Sequence, residues 1–340
     1  MTFTAKQICL AEFPQGMPSA QTFTIENVDV PAPKDGEVRV RNRFMSVDPY
    51  MRGRMTGVES YAAPYELNKP MTGGAIGEIA DSTHPDFKVG DHVLTMRGWR
   101  EAFTANVDVL RKTEMIVKVD TNVIPAPAYL GVAGMPGLTA YAGLYDVAKF
   151  TAKDTVLVSG AAGAVGSTVC QLAKAEGAYV VGIAGSDSKC EWLESRGVDA
   201  AINYKTCGNL TNALRKAAPQ GFDVYFENVG GETLEAALNV MNQYGRLAVC
   251  GMISAYNDKT PQPGPNNRVQ IVGKSLNING FIVTDHAHLK GDYIGKLGPL
   301  MASGKLKQME TIVEGIDQAP SAFLRLFSGD KQGKMLVKLT

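Results

Sequence analysis

The run Gly160-Ala-Ala-Gly163-Ala-Val-Gly166 constrains this chain more than any other. It lies between a β-rich stretch, Thr155-Val-Leu-Val-Ser159, and a helical pattern running from Ala164 to Glu176. Glycines at i, i+3 and i+6 suit a tight strand-to-helix turn. The first glycine permits the turn, the second lets backbone approach a ligand, and the third lets the helix pack on the strand. Unpaired N–H groups at the helix start, with the helix dipole behind them, favour an anion such as a diphosphate. The spacing is a variant of the dinucleotide-binding fingerprint.

The chain beyond Gly166 repeats the same alternation. A second apolar run, Tyr179–Ala184, leads to a helix over Ser188–Arg196 and a strand over Ala200–Tyr204. A helix over Leu210–Ala217 precedes a strand over Phe222–Glu227, and a helix over Glu232–Met241 precedes a strand over Gly245–Cys250. Leu276–Val283 supplies a sixth strand. Strands apolar on both faces and separated by helices predict a doubly wound parallel sheet, the Rossmann arrangement.

The chain before this region reads differently. Glu37–Asn42 alternates with period two after a Pro33-Lys-Asp-Gly36 turn, and Met71–Ile79 is a glycine-dense strand. Val89–Leu94 is a turn entering another strand, and no long helical period appears before about Pro127. The closing run Lys334–Leu339 is a strand that returns to this β-rich part. The expected division is a β-rich catalytic domain over 1–125 and 310–340, with a dinucleotide domain over 126–309. Thr260–Asn267, rich in proline, is a candidate mobile loop.

Composition narrows the function classes. The 340 residues carry 34 basic and 34 acidic side chains, so no basic field is available for nucleic acid or an anionic membrane. The 5 cysteines (Cys9, Cys170, Cys190, Cys207 and Cys250) are scattered, which fits a reducing cytoplasmic setting rather than a disulfide framework. The N-terminus lacks a signal-peptide pattern, and charged and polar residues interrupt the most apolar stretch, Gly160–Gly185.

Charge also separates the two dinucleotides. The second alternating strand ends Ile183-Ala-Gly-Ser186 with no carboxylate at its tip, and Lys189 follows in the next helix. Without an acid to repel a 2′-phosphate, and with Ser186 and Lys189 to bond one, NADP(H) is preferred over NAD(H).

No metal site is expected. No cysteine lies between Cys9 and Cys170, His286 and His288 read as a solvated loop, and His92 reads as a structural strand residue. Hydride transfer without metal favours an acceptor that delocalises negative charge, such as an enone, together with a hydrogen-bond donor. Tyr256, just beyond the fifth strand, is the candidate donor because a phenol of pKa ~10 stays protonated near neutrality. Tyr50 and Tyr61 are candidates for the substrate wall.

These residues support a family resemblance over essentially the whole chain. The sequence resembles the zinc-free, NADPH-dependent medium-chain reductases, which include curcumin, 2-alkenal double-bond and prostaglandin reductases. The markers are Ser46-Val-Asp-Pro-Tyr-Met-Arg-Gly-Arg-Met55, Gly134-Met-Pro-Gly-Leu-Thr-Ala-Tyr141, Ala161-Ala-Gly-Ala-Val-Gly-Ser167, Asn203-Tyr-Lys205, Glu227-Asn-Val-Gly-Gly231 and Cys250-Gly-Met-Ile-Ser254. Tyr61-Ala-Ala-Pro-Tyr-Glu-Leu67 and Gly73-Gly-Ala-Ile-Gly77 are closest to the bacterial branch.

The resemblance implies a GroES-like catalytic domain beside the Rossmann domain, and a homodimer formed through the last Rossmann strand. It implies pyrophosphate contacts from Gly163, Ala164, Val165 and Gly166, and 2′-phosphate contacts from Lys189 and Tyr204 beside Ser186. Asn228, Cys250, Gly251, Ile253, Ser254 and Tyr256 would line the nicotinamide side, with Phe281, Ile282 and Val283 closing over it. Two departures stand out. Gly273 occupies the place of a second substrate-side tyrosine in the prostaglandin reductases, and Lys331 stands where relatives carry Asn. The implied reaction is NADPH-dependent reduction of the C=C bond of α,β-unsaturated aldehydes or ketones. A quinone reductase and a non-enzymatic binding protein on the same fold remain as alternatives.

Overall fold

The computed structural model describes residues 2–329 and 331–339, which divide into two compact units, 1–130 with 310–340, and 131–309. In chain order the first unit contains β1 (Phe3–Leu10), β2 (Phe23–Val30), β3 (Glu37–Ser46), the single turn α1 (Met51–Arg54) and β4 (Ala75–Ser82). It continues with β5 (His92–Thr95), β6 (Ala102–Asn106), α2 (Val107–Thr113) and β7 (Ile116–Val119).

The second unit opens with α3 (Met135–Tyr141), followed by β8 (Thr155–Val158), α4 (Ala164–Ala175), β9 (Tyr179–Ala184), α5 (Asp187–Ser195) and β10 (Ala200–Asn203). Next come α6 (Leu210–Ala217), β11 (Phe222–Glu227), α7 (Gly231–Val240), β12 (Met241–Val249), α8 (Val269–Gly273), β13 (Asn277–Gly280) and α9 (Lys290–Ala302). The chain then returns to the first unit with β14 (Glu310–Glu314), α10 (Ala319–Ser328) and β15 (Lys334–Lys338).

In the second unit the strands run in the order β10-β9-β8-β11-β12-β13, and every pairing is parallel. The chain starts in the middle at β8, works outward through β9 and β10, and crosses back to β11. That reversal leaves the carboxyl ends of β8 and β11 side by side, where an open α/β sheet offers a ligand crevice. Leu157, Val181, Tyr225 and Leu247 are buried on one face of the sheet, and Val156, Val180, Val224 and Ala248 on the other, so both faces are covered, as parallel strands require. The predicted Rossmann sheet is the observed one. The sixth strand is shorter than the apolar run suggests, ending at Gly280 rather than Val283.

In the first unit a mixed sheet runs β14-β15-β3-β4-β5-β7, with β6 paired to β3, while β1 and β2 form a separate antiparallel pair. The glycine-dense strand predicted from Met71 starts only at Ala75. Before it, Gly73 spends its carbonyl on the Gly98 N–H of a neighbouring loop. Phe23 stacks on Trp99 with centroids 5.8 Å apart, and Phe323 meets Trp99 edge-on at 6.1 Å. Phe323 arrives on α10, whose buried Ala319, Ala322, Phe323 and Leu326 follow the i, i+3, i+4, i+7 rhythm of one helical face. Gly329, at φ 83°, ends that helix. Among the described residues no helix is long and apolar enough to cross a membrane.

Candidate active site

The glycine turn leaves β8 through Gly160, whose φ of 57° lies in the left-handed region open to glycine. Gly163 is the N-cap of α4, and no side chain caps that helix start. The N–H groups of Ala164 and Val165, both half-buried, are therefore not consumed by a capping serine or aspartate, while the Gly163 N–H closes the turn on the Gly160 carbonyl at 2.9 Å. Gly166 has a different task. A Cβ there would lie 2.5 Å from the Gly160 carbonyl oxygen and 2.9 Å from Ala161 Cα, so only glycine lets α4 seat against the turn.

A second corner forms at the carboxyl ends of β9 and β10. A Cβ on Gly185 would sit 3.1 Å from the Tyr204 ring, so that ring lies against bare backbone next to Ser186. Ser186 caps α5: its Oγ accepts the Lys189 N–H at 3.4 Å and bonds the Ser188 hydroxyl at 3.1 Å. Asp187 is the nearest acid, and its Oδ1 accepts from Asn203 Nδ2 at 2.7 Å. Ser186 and the backbone of Lys189 thus lie next to the Tyr204 ring at the ends of β9 and β10, and hydroxyl, phenol and lysine are residue types that suit a phosphate.

The third cluster lies beyond β11 and β12. Asn228 is pinned to the end of β8: its N–H donates to Ser159 Oγ at 2.8 Å and its Nδ2 to the Ser159 carbonyl at 2.7 Å. The segment Cys250–Tyr256 is latched to it. Ile253 N donates to the Asn228 carbonyl at 3.2 Å, and Ser254 donates to the Val229 carbonyl from N at 3.0 Å and from Oγ at 2.6 Å. Tyr256 follows the short 3-10 turn Ile253–Ala255 and is half-buried. Its hydroxyl accepts the Met252 N–H at 3.4 Å and lies over Gly251, where a Cβ would come within 2.8 Å. Burial, with the Glu227 carboxylate nearby, pushes the Cys250 thiol up to about 12.

Phe281, Ile282 and Val283, all half-buried, leave the end of β13. The Phe281 ring packs edge-on against Phe226 at 6.2 Å and against His286 at 5.8 Å. Both phenylalanines press on Gly143, in a π-helical turn spanning Ala142–Val147; a Cβ there would lie 2.5 Å from the Phe226 ring and 2.6 Å from the Phe281 ring. In place of the solvated loop expected around His286 and His288, Val283–Leu289 forms 3-10 turns that meet at a kink at His286, which is half-buried, while His288 is exposed. His286 Nδ1 meets Asp146 Oδ2 at 2.8 Å, and its ring lies 6.3 Å from that of His288. The sequence could not show this pairing, because the two partners are 140 positions apart.

In the first unit Tyr50 precedes α1 and is half-buried, whereas Tyr61 is 65% exposed. Burial and the neighbouring Asp48 carboxylate raise the Tyr50 hydroxyl well above its ordinary value, with Arg54 opposing, so it stays protonated. The Arg54 guanidinium lies 4.0 Å over the Tyr65 ring, and its Nε donates to the Ala63 carbonyl at 2.7 Å. This ties the loop carrying Tyr61 to the helix turn carrying Tyr50. Below them is a buried ion pair that sequence reading missed: Lys334 Nζ reaches Asp48 Oδ1 at 2.9 Å and the Val47 carbonyl at 2.8 Å. Gly273 ends α8, exposed and with nothing within 4 Å of where a Cβ would stand. Lys331 is half-buried between α10 and β15. His92 lies in β5 with its Nδ1 3.4 Å from the Thr121 hydroxyl.

A parallel sheet with a glycine turn at its reversal point and a separate β-rich unit defines a dinucleotide-dependent oxidoreductase. Similarity to known proteins agrees. A family model described as the N-terminal domain of oxidoreductase matches residues 6–113, and one described as zinc-binding dehydrogenase matches residues 164–297. YfmJ of Bacillus subtilis is 46% identical over 345 residues, covering 100% of this chain and 99% of that protein. The NADP(+)-dependent 2-alkenal reductase of Nicotiana tabacum is 40% identical over 98% of this chain and 97% of its own. The crystal structure of CurA from Vibrio vulnificus in complex with NADPH matches with a TM-score of 0.91 at 36% identity, over 99% of each chain.

The chain belongs to the medium-chain dehydrogenase/reductase family, among its NADP-dependent oxidoreductases. The uncapped helix start and the Ser186–Lys189–Tyr204 corner fit that dinucleotide. The zinc in one family description finds no matching donor set, since among the described residues no group of three or more His, Cys, Asp or Glu side chains could hold a metal ion.

Proposed function

We propose that the protein reduces the carbon–carbon double bond of α,β-unsaturated aldehydes and ketones at the expense of NADPH, without a metal. When bound, the reduced nicotinamide supplies a hydride to the β-carbon of the acceptor. The π electrons then move to the carbonyl oxygen as an enolate, and a proton at the α-carbon completes the saturated product. The backbone of Gly163, Ala164, Val165 and Gly166 holds the diphosphate, and Ser186, Lys189 and Tyr204 hold the 2′-phosphate. Asn228, the segment Cys250, Gly251, Ile253 and Ser254, and the cover Phe281, Ile282 and Val283 border the nicotinamide.

Tyr256 delivers the proton or orders the group that does. Its hydroxyl accepts the Met252 N–H and keeps its own hydrogen to donate, and its place after the latched segment puts it on the carboxyl side of the sheet. Tyr50, kept neutral by burial, and Tyr61 wall the substrate. The observation that carries the reading is that one parallel sheet bears an uncapped glycine turn after β8, a serine- and tyrosine-lined corner after β9 and β10, and the latched segment with Tyr256 after β12. The names of the similar plant reductase and of CurA's bound NADPH support it.

The edge strand β13 is exposed along its length, which invites a second copy of the chain to pair there. The five free thiols suit a reducing cytoplasm.

The test is a screen of NADPH oxidation against short enals, long enones, diarylheptanoids and quinones, with products read by mass spectrometry. Saturated carbonyl products are expected. Turnover of quinones with none of the enals or enones would replace this reading with a quinone reductase, and no oxidation with any acceptor would favour a binding protein.

A further inference from the structure

The carboxylate of Glu227 has no part in the chemistry described so far, yet it is 0% exposed at the end of β11. Its Oε1 accepts from Ser159 Oγ at 2.6 Å and from the Val229 N–H at 2.5 Å, and its Oε2 accepts from the Tyr225 hydroxyl at 2.7 Å. All three partners are neutral. The Val229 N–H is a fixed donor to Oε1, the Ser159 hydroxyl can join it there because its own oxygen already takes the Asn228 N–H, and the Tyr225 hydroxyl can donate to Oε2, so the surroundings can serve a carboxylate at both oxygens. An anion buried without a cation is costly.

Holding the loop in shape does not require that charge. A glutamine could accept the two hydrogen bonds at one oxygen and donate to Tyr225, whose hydroxyl is free to turn around. The charge therefore calls for a separate explanation. The residues around it supply one: the carboxylate shares Ser159 with the N–H of Asn228, and the Glu227 carbonyl takes the Cys250 N–H at 2.9 Å and the Gly251 N–H at 3.2 Å.

We propose that the Glu227 carboxylate tunes the bound cofactor toward hydride donation by favouring its oxidised, cationic ring over its neutral reduced one. The inference rests on the reading that Asn228 and Cys250–Tyr256 border the nicotinamide. A nicotinamide that gives up a hydride gains a positive charge, and a fixed anion in dry surroundings stabilises that product state more than water would. Glu227 is then a positioning residue in the electrostatic sense: it touches no reacting atom, and it sets the potential of the couple.

The test compares dissociation constants of NADP+ and NADPH for the wild-type chain, Glu227→Gln and Glu227→Asp, alongside thermal melting. Glu227→Gln is expected to weaken NADP+ relative to NADPH on the order of tenfold, the scale of one nearby charge at an intermediate dielectric. Glu227→Asp keeps the charge and should keep the wild-type ratio, even if both affinities fall. Equal losses for the two nucleotides in Glu227→Gln, or a shifted ratio in Glu227→Asp, would show a purely structural role and overturn the proposal. If Glu227→Gln does not fold, Glu227→Met, uncharged and of similar length, takes its place in the same comparison. Wild-type protein that binds neither nucleotide would instead overturn the cofactor reading on which the inference stands, and the inference with it.

Discussion

Replacing Gly166 by alanine tests how the turn divides its work. The new Cβ would stand 2.5 Å from the Gly160 carbonyl oxygen, roughly 0.8 Å inside the ~3.3 Å at which carbon and carbonyl oxygen normally meet. Both close atoms, this oxygen and Ala161 Cα, are backbone of the turn, so no side chain can swing away. Overpacking of this kind costs about 1–3 kcal/mol. At 2–4 °C per kcal/mol for a unit of this size, melting should fall by roughly 2–12 °C.

Gly163→Ala is the control. Its Cβ would find only the Gly160 oxygen, at 3.1 Å, a misfit that a few tenths of an ångström relieve. Melting should drop by less than about 3 °C. Its methyl would stand at the uncapped start of α4, where the diphosphate is proposed to bind. The NADPH dissociation constant should rise about 10–100-fold, as when a hydrogen bond to a charged group is lost. Differential scanning fluorimetry and nucleotide titration measure the two effects. If Gly163→Ala destabilises as much as Gly166→Ala and leaves NADPH affinity intact, the division into a packing glycine and a ligand glycine is wrong.

Three further outcomes are expected. Lys189→Ala should raise the NADPH dissociation constant by about 10–100-fold while leaving NADH binding unchanged, because only the 2′-phosphate is lost as a partner; parallel titrations with both nucleotides check this. Tyr256→Phe should lower kcat at least about tenfold with a modest change in KM, and an unchanged kcat in steady-state enone assays would assign the proton to solvent. Lys334→Met strands the buried Asp48 and should cost about 3–5 kcal/mol in urea unfolding, part of which the double variant with Asp48→Asn should restore.

Much of the Rossmann unit was legible because punctuation and pattern agree there. β9 and β11 span the residues that their apolar runs mark, and α6 begins after Asn209, which caps it by accepting the Asn212 N–H. The β-rich unit was less legible, since register between distant strands leaves no local signal. Nothing in Phe3–Leu10 announces its antiparallel partner Phe23–Val30, and nothing in Gly73 announces that its carbonyl will serve Gly98 rather than a sheet.

The residues proposed for the site divide along the same line. Ser186 and Lys189 lie within one turn, and a strand end followed by a cap makes their neighbourhood readable from sequence. Tyr204 needed only one more βα crossover to come back against Gly185. Glu227 was visible as the acid closing the apolar strand Phe-Asp-Val-Tyr-Phe-Glu, but its meaning depends on Ser159, 68 positions earlier. A strand-end carboxylate reads as solvated unless its surroundings are known, and here the parallel crossover from β8 to β11 brings Ser159 beside Glu227 while Tyr225 contributes the donor on its other oxygen. The chemistry that sequence conveys best is therefore carried by a residue and its near neighbours, whereas the charge buried behind them is set by topology.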